Sequence, residues 1–233
     1  MRIGEDYPKI EWDFMGFQLL EPNAFIGDTV ISIVAVGMFF KARKLYMHSK
    51  NSYNFLWMWF FMIFGIGFFA GGIGHLVYNY AGIYGKYGAW YIGIVSTLVL
   101  ELAMVSQLRK YKTIVNRLLL FKACLAVVSL TTLVALVDLS SAPSKGLVVP
   151  VVNSSIGLLF SLAYLGYCYT KTKSKGFSYL YWSILVFLPT IFLQAFKINI
   201  HPWFDRNDLS HVLIILTLFL YFKSLQKVQD VIS

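Results

Sequence analysis

Seven stretches of the chain are apolar with little interruption, near Ala24 to Phe40, Tyr53 to Leu76, Ala89 to Leu108, Leu118 to Val137, Leu147 to Tyr169, Phe177 to Phe196 and Asn207 to Phe222. A bilayer core roughly 30 Å thick needs about twenty helical residues, a length these stretches approach or exceed. Short alternating strands between turns, the mark of a membrane barrel, do not occur. A helix satisfies its own backbone polar groups and is the remaining way to cross hydrocarbon. The pattern therefore predicts an all-α polytopic membrane protein, a bundle of seven transmembrane helices over residues 24–225. An N-terminal segment, 1–23, precedes it, and a tail, 226–233, follows. Pro150 falls in the first turn of its span and is tolerated there, whereas Pro189 lies inside the sixth and predicts a kink.

The polar residues between the spans set the orientation. Lys41, Arg43, Lys44 and Lys50 follow the first span, Arg109, Lys110, Lys112 and Arg117 the third, Lys171, Lys173 and Lys175 the fifth, and Lys223 and Lys227 the last. The opposite side carries only Arg2, Lys9, Lys86, Lys145, Lys197 and Arg206. The positive-inside rule then puts the N-terminus outside and the C-terminus in the cytoplasm. Lys122 is placed one turn into the fourth span, from where its stem can snorkel. A hydrophobic content of 58% with 13% charged residues agrees with a membrane protein. The net charge of +9 sits in the short loops, which speaks against nucleic acid as a partner. Glu5, Asp6, Glu11 and Asp13 make the first residues acidic, unlike a signal peptide. With Trp12, Phe14 and Phe17 this segment is either interfacial, lying at the headgroups, or a loosely ordered tail. Cys124 and Cys168 fall within spans and are expected as free thiols. Short loops and few cysteines suit a multi-pass protein of a bacterial inner (cytoplasmic) membrane.

Ionisable groups within hydrocarbon are expensive and mark working sites. With the N-terminus outside, Asp28 lies about one helical turn below the outer surface, and His75 closes the second span at that surface with Asn79 just beyond. Asn207, Asp208 and His211 open the seventh span from the same side, and Asn153 lies in the outer third of the fifth. Glu101 stands apart near mid-membrane, where it is a protonated carboxyl, a partner of Gln194 or a tyrosine, or part of a proton route. Asn207, Asp208 and His211 share one helical face. His75, His211 and Asp208 make a ligand set for zinc, with an open position for a water whose pKa the metal lowers toward about 7. Asp28 and Asp208 are the candidate catalytic carboxylates, and Asn79, Asn153, Asn207 and Glu101 the candidate ligand-binding residues. The plainer alternative is an interhelical hydrogen-bond network, with Asn207 as helix cap and Asp208 complementing the macrodipole. Gly67, Gly71, Gly72 and Gly74 either let another helix approach closely or make room for a ligand beside His75.

The runs Gly71-Gly72-Ile73-Gly74-His75 and Asn207-Asp208-Leu209-Ser210-His211, with Asp28-Thr29 in the first span, resemble the seven-helix CREST superfamily, and most closely a bacterial branch of it. That superfamily includes alkaline ceramidases and the adiponectin and progestin-type receptors. The resemblance implies a zinc ion on His75 and His211. The family's other last-helix histidine is Asn207 here, and its serine one turn before the first histidine is Gly71, so Asp208 or Asp28 would complete the set. Two functions follow as expectations. One is a zinc-dependent, membrane-embedded hydrolase of a lipid amide or ester at the outer leaflet. The other is a non-enzymatic receptor-like protein or partner subunit whose polar cluster binds a ligand or locks the helices.

Overall fold

The computed structural model describes residues 1–140 and 143–232. Among these, seven helices are long and apolar enough to cross a membrane, and the chain is a multi-pass helical membrane protein. The first two spans are α1 (Pro22–Ser49) and α2 (Ser52–Leu76). A single turn, α3 (Tyr78–Ala81), leads into α4 (Tyr84–Val105), followed by α5 (Lys112–Leu136). The fifth span joins α6 (Pro143–Leu158), a π-helical stretch (Leu159–Leu165) and α7 (Gly166–Thr172). In the sixth, α8 (Ser178–Phe187) and α9 (Pro189–Ala195) meet at Leu188, where the proline has no N–H to continue the ladder. The seventh is α10 (Arg206–Lys227).

Helix ends differ from the apolar stretches in an instructive way. Hydropathy falls at Lys41, yet α1 runs on to Ser49 because Lys, Ala, Arg and Leu are good helix formers. It stops only where Lys50 turns left-handed, at φ 53°. Likewise α5 begins at Lys112, well before the apolar run, so Lys122 sits almost three turns into the helix and not one.

Packing follows the stripe rule. Ile31, Ala35, Met38 and Ala42 recur at helical spacing on α1 and are buried with Tyr53, Trp57, Phe60 and Phe61 of α2. Leu100 and Met104 of α4 and Leu218, Tyr221 and Leu225 of α10 complete this core. Helix α2 lies between α1 and α4, and α10 packs on α1 and α8. A Cβ on Gly74 would lie 2.5 Å from the Gly85 carbonyl oxygen, so backbone meets backbone where α2 crosses α4.

Both ends of the chain are more structured than the pattern predicts. A hairpin of β1 (Glu11–Phe14) and β2 (Phe17–Leu20) occupies the N-terminal segment. Its two-residue turn, Met15-Gly16, has positive φ at both positions, as the tight hairpin turn requires. Asn79 meets this hairpin: its Nδ2 donates to the Gln18 carbonyl at 3.3 Å. At the other end a short helix, α11 (Gln229–Ile232), folds back on α2. There Asn54 Nδ2 donates to Gln229 Oε1 at 2.7 Å, and Asn51 Nδ2 to the Ile232 carbonyl at 3.2 Å.

Candidate functional site

The end of the bundle that carries the hairpin gathers most of the buried charge. His211, in the second turn of α10, reaches across to α1, where its Nε2 lies 3.0 Å from Asp28 Oδ1. Its Nδ1 is 4.0 Å from Asp208 Oδ1, so the imidazole stands between two carboxylates. Asp28 is 5% and Asp208 7% exposed. The ring fits because α1 has a glycine opposite it. A Cβ on Gly27 would lie 3.0 Å from His211 Cε1 and 3.2 Å from Cγ, with Nδ1 closer still. Asp208 is fixed by two further bonds, from Asn23 Nδ2 and from the Asp205 backbone N–H, each at 3.0 Å. The second is half of a capping box in which Asp205 caps α10. The helix cap is thus Asp205, and Asn207 instead accepts from Gln194 Nε2 at 3.1 Å.

His75 belongs to a second cluster. Its Nδ1 lies 2.7 Å from Glu21 Oε2, a contact that needs a proton between the two atoms, so Nδ1–H donates. Lys86 Nζ is 3.5 Å from the same nitrogen and Lys9 Nζ 3.2 Å from Glu21 Oε2. Burial pushes the Glu21 carboxyl up, but the His75 hydrogen bond and the positive charges of His75, Lys9 and Lys86 outweigh it and hold the group at about 2. Glu21 achieves this in a left-handed conformation, φ 51° and ψ 53°, that non-glycine residues seldom adopt. Strain of that kind persists where surrounding contacts over-determine it.

Two cavities meet beside these clusters. A polar vestibule of about 370 Å³ is walled by Lys9, Glu21, His75, Lys86, Asp205 and Arg206, among others. An apolar chamber of about 360 Å³ runs into the bundle between Phe64, Phe68, Ile92, Leu158, Phe187 and Leu218. Gly71, Ala89 and Trp90 line both and form the boundary between them. Asp28 is the one carboxylate among the described residues of the chamber lining, and its Oδ2 lies toward Gly71. The chamber hydroxyls of Ser96, Thr97 and Thr217 donate to carbonyls of their own helices; Ser154 and Tyr221 bring two further hydroxyls to the lining, and Asp28 its carboxylate.

A third group of polar residues lies deeper. Glu101 is fully buried and its Oε1 accepts from Lys122 Nζ at 2.6 Å; the same ammonium donates to the Asn153 backbone carbonyl at 3.3 Å. Glu101 therefore pairs with neither Gln194 nor a tyrosine, and Lys122 does not snorkel. The missed signal was the helix start: counted from Lys112, the lysine lies at a depth from which its long side chain reaches Glu101. Asn153 belongs with this pair and not with Asp28.

Of the residues singled out from sequence, the structure brings together Asp28, Asp208 and His211 and sets His75 in the adjoining cluster. Sequence reasoning passed over Glu21, Asn23 and Lys86, which lie at or beyond the ends of apolar runs and carry no pattern of their own. The donor set fits ion pairing better than zinc. His75 faces an ammonium group, and among the described residues no three His, Cys, Asp or Glu side chains approach as one metal ion requires.

Residues 24–230 match the model of a family described as a family of unknown function, DUF6962. The chain belongs to the DUF6962 family. The DUF6962 match takes in all seven spans, with Asp28, His75, Asp208 and His211, and begins just after Glu21 and Asn23. No curated protein and no solved structure matches the chain.

Proposed function

We propose that this DUF6962 protein holds a single amphiphilic lipid inside its bundle, taken from the outer leaflet of a bacterial inner membrane, with the N-terminus outside and the C-terminus in the cytoplasm. The observation that carries this reading is the shared wall of Gly71, Ala89 and Trp90, across which a charged vestibule adjoins an apolar chamber lined by one carboxylate. A pocket of several hundred Å³, largely apolar with a few convergent polar groups, is the usual form of a small-molecule site. The chamber takes the tail, and Asp28 with the vestibule takes the polar end. Loop charge supports the orientation. The test is native mass spectrometry of the purified protein beside Gly71→Leu, whose added side chain fills the mouth. One bound lipid in the wild type, lost in the folded variant, is expected; equal occupancy in both refutes the reading.

The Asp28–His211 contact favours a second reading, hydrolysis of a lipid amide or ester at the same place. His211 holds one carboxylate oxygen, and Asp28 accepts through the other the proton of a water that attacks the acyl carbon, then returns it to the departing amine or alcohol as the acyl C–N or C–O bond breaks. In this scheme His211 positions and Asp28 reacts. Proteoliposomes containing a neutral N-acyl or ester lipid test it: product must appear, and must vanish in Asp28→Asn while bound lipid is retained.

A further inference from the structure

The membrane interior gives a polar side chain no water to fall back on, so an unpaired donor or acceptor there is strongly unfavourable. Around the Glu101–Lys122 pair, three such atoms are buried without a partner among the described residues: Glu101 Oε2 and both amide atoms, Nδ2 and Oδ1, of Asn153. Asn153 is 4% exposed, and Glu101 is fully buried. The lysine ammonium has three N–H groups and uses two, one on Glu101 and one on the Asn153 carbonyl. Three N–H groups, one on Lys122 and two on Asn153 Nδ2, and two acceptors, Glu101 Oε2 and Asn153 Oδ1, are therefore left over on the three residues that this ammonium group joins.

The fifth span meets the carboxylate with bare backbone. Gly157 is one turn beyond Asn153 on α6, and a Cβ there would lie 2.5 Å from Thr97 Cγ2 and 2.9 Å from Glu101 Oε1, so only glycine lets Glu101 lie this close to α6. The helix changes to π-helical geometry two residues later, at Leu159, and Ser161 Oγ, one turn further on, is again buried without a partner among the described residues. A π-helical stretch frequently accompanies a functional site.

From this geometry we infer that Glu101, Lys122 and Asn153 form an internal water-binding site between the third, fourth and fifth spans, separate from the Asp28 chamber. Water is the ligand whose chemistry matches these unpaired groups. It donates twice and accepts twice, and a buried water typically makes about three hydrogen bonds to groups otherwise unsatisfied. A water here accepts from Lys122 Nζ or Asn153 Nδ2 and donates to Glu101 Oε2 or Asn153 Oδ1. The Thr97 and Ser154 hydroxyls, 2.9 Å apart, line the chamber, one a helical turn before Glu101 and the other next to Asn153 in the chain.

The experiment is a structure of the full chain in a lipid disc at a resolution that shows ordered water, with thermal unfolding of Asn153→Leu alongside. Density for water within hydrogen-bond distance of Glu101 Oε2 and an Asn153 amide atom is expected. Asn153→Leu, which takes away the bridge and strands Glu101 Oε2, is expected to lower the Tm. In Glu101→Leu/Lys122→Met, where no charge remains to be bridged, the same change is expected to leave the Tm unchanged or raise it. A dry site, a direct Glu101–Asn153 bond, or an Asn153→Leu protein more stable than wild type overturns the inference. Should Asn153→Leu not fold, the water density alone decides.

Discussion

Gly27→Ala isolates the contact on which the site reading depends, because it adds one methyl group and nothing else. In an exposed helix interior the change would stabilise, since Ala is favoured over Gly by about 1 kcal/mol. Here the new Cβ would lie within 3.0 Å of His211 Cε1 and nearer to Nδ1, a distance at which the ring must move away. Movement breaks the 3.0 Å contact with Asp28 and leaves a carboxylate that is 5% exposed without its partner. Removing one member of a buried pair costs about 3–5 kcal/mol, so the net loss is about 2–4 kcal/mol after the helix gain. At about 2–4 °C per kcal/mol for a chain of this size, the Tm falls by about 4–16 °C. Circular dichroism of protein in lipid discs reads it. His211→Ala costs a similar amount by itself, but it also removes the atoms that Gly27→Ala strikes. The double variant should therefore be no less stable than His211→Ala alone, a coupling of about 2–4 kcal/mol where independent sites would add. A Gly27→Ala protein more stable than wild type, or additive losses in the double variant, would falsify the packing of His211 against α1.

The other expectations concern the remaining two charge clusters and the metal. Glu101→Gln or Lys122→Met alone should lower the Tm by about 6–20 °C, from about 3–5 kcal/mol for breaking a buried pair, while Glu101→Leu/Lys122→Met should recover most of it; equal and additive losses would show that the pair is not coupled. Glu21 is held at about 2 against an ordinary 4.5, so its stabilisation is complete above 4.5 and is lost as the pH falls toward 2. A shift of that size corresponds to about 3 kcal/mol, and Glu21→Gln should flatten the acid limb of the Tm–pH curve between those values; an unchanged limb refutes the Glu21–His75 contact. Elemental analysis of the purified protein should give zinc far below one per chain, and near-stoichiometric zinc that disappears in His75→Ala and His211→Ala would restore the ligand reading of these histidines.

Depth along the membrane normal was legible in the sequence, because a helix in hydrocarbon advances by a fixed rise and hydropathy marks where it enters and leaves. That logic found seven spans and placed Asp28 and His211 near one end of them. It reads less well where the helix outlasts the apolar run, as at Lys112, and so it misjudged the depth of Lys122. The hairpin over Glu11–Leu20 was hidden for a related reason. Trp12, Phe14 and Phe17 resemble an interfacial segment, and only the Met15-Gly16 turn distinguishes a strand pair from one.

What the sequence by itself determined, then, is the number of crossings, their limits to within a few turns, and the end of the bundle at which Asp28, Asp208 and His211 lie. Which charges meet is a matter of how each helix is rotated about its axis and which neighbour it packs on, and those are set by side-chain volume in three dimensions. Gly27 gives His211 a place beside Asp28, and the close crossing at Gly74 and Gly85 fixes α2 against α4, the helices that carry His75 and Lys86. The tertiary structure alone decided that the two candidate histidines serve different carboxylates.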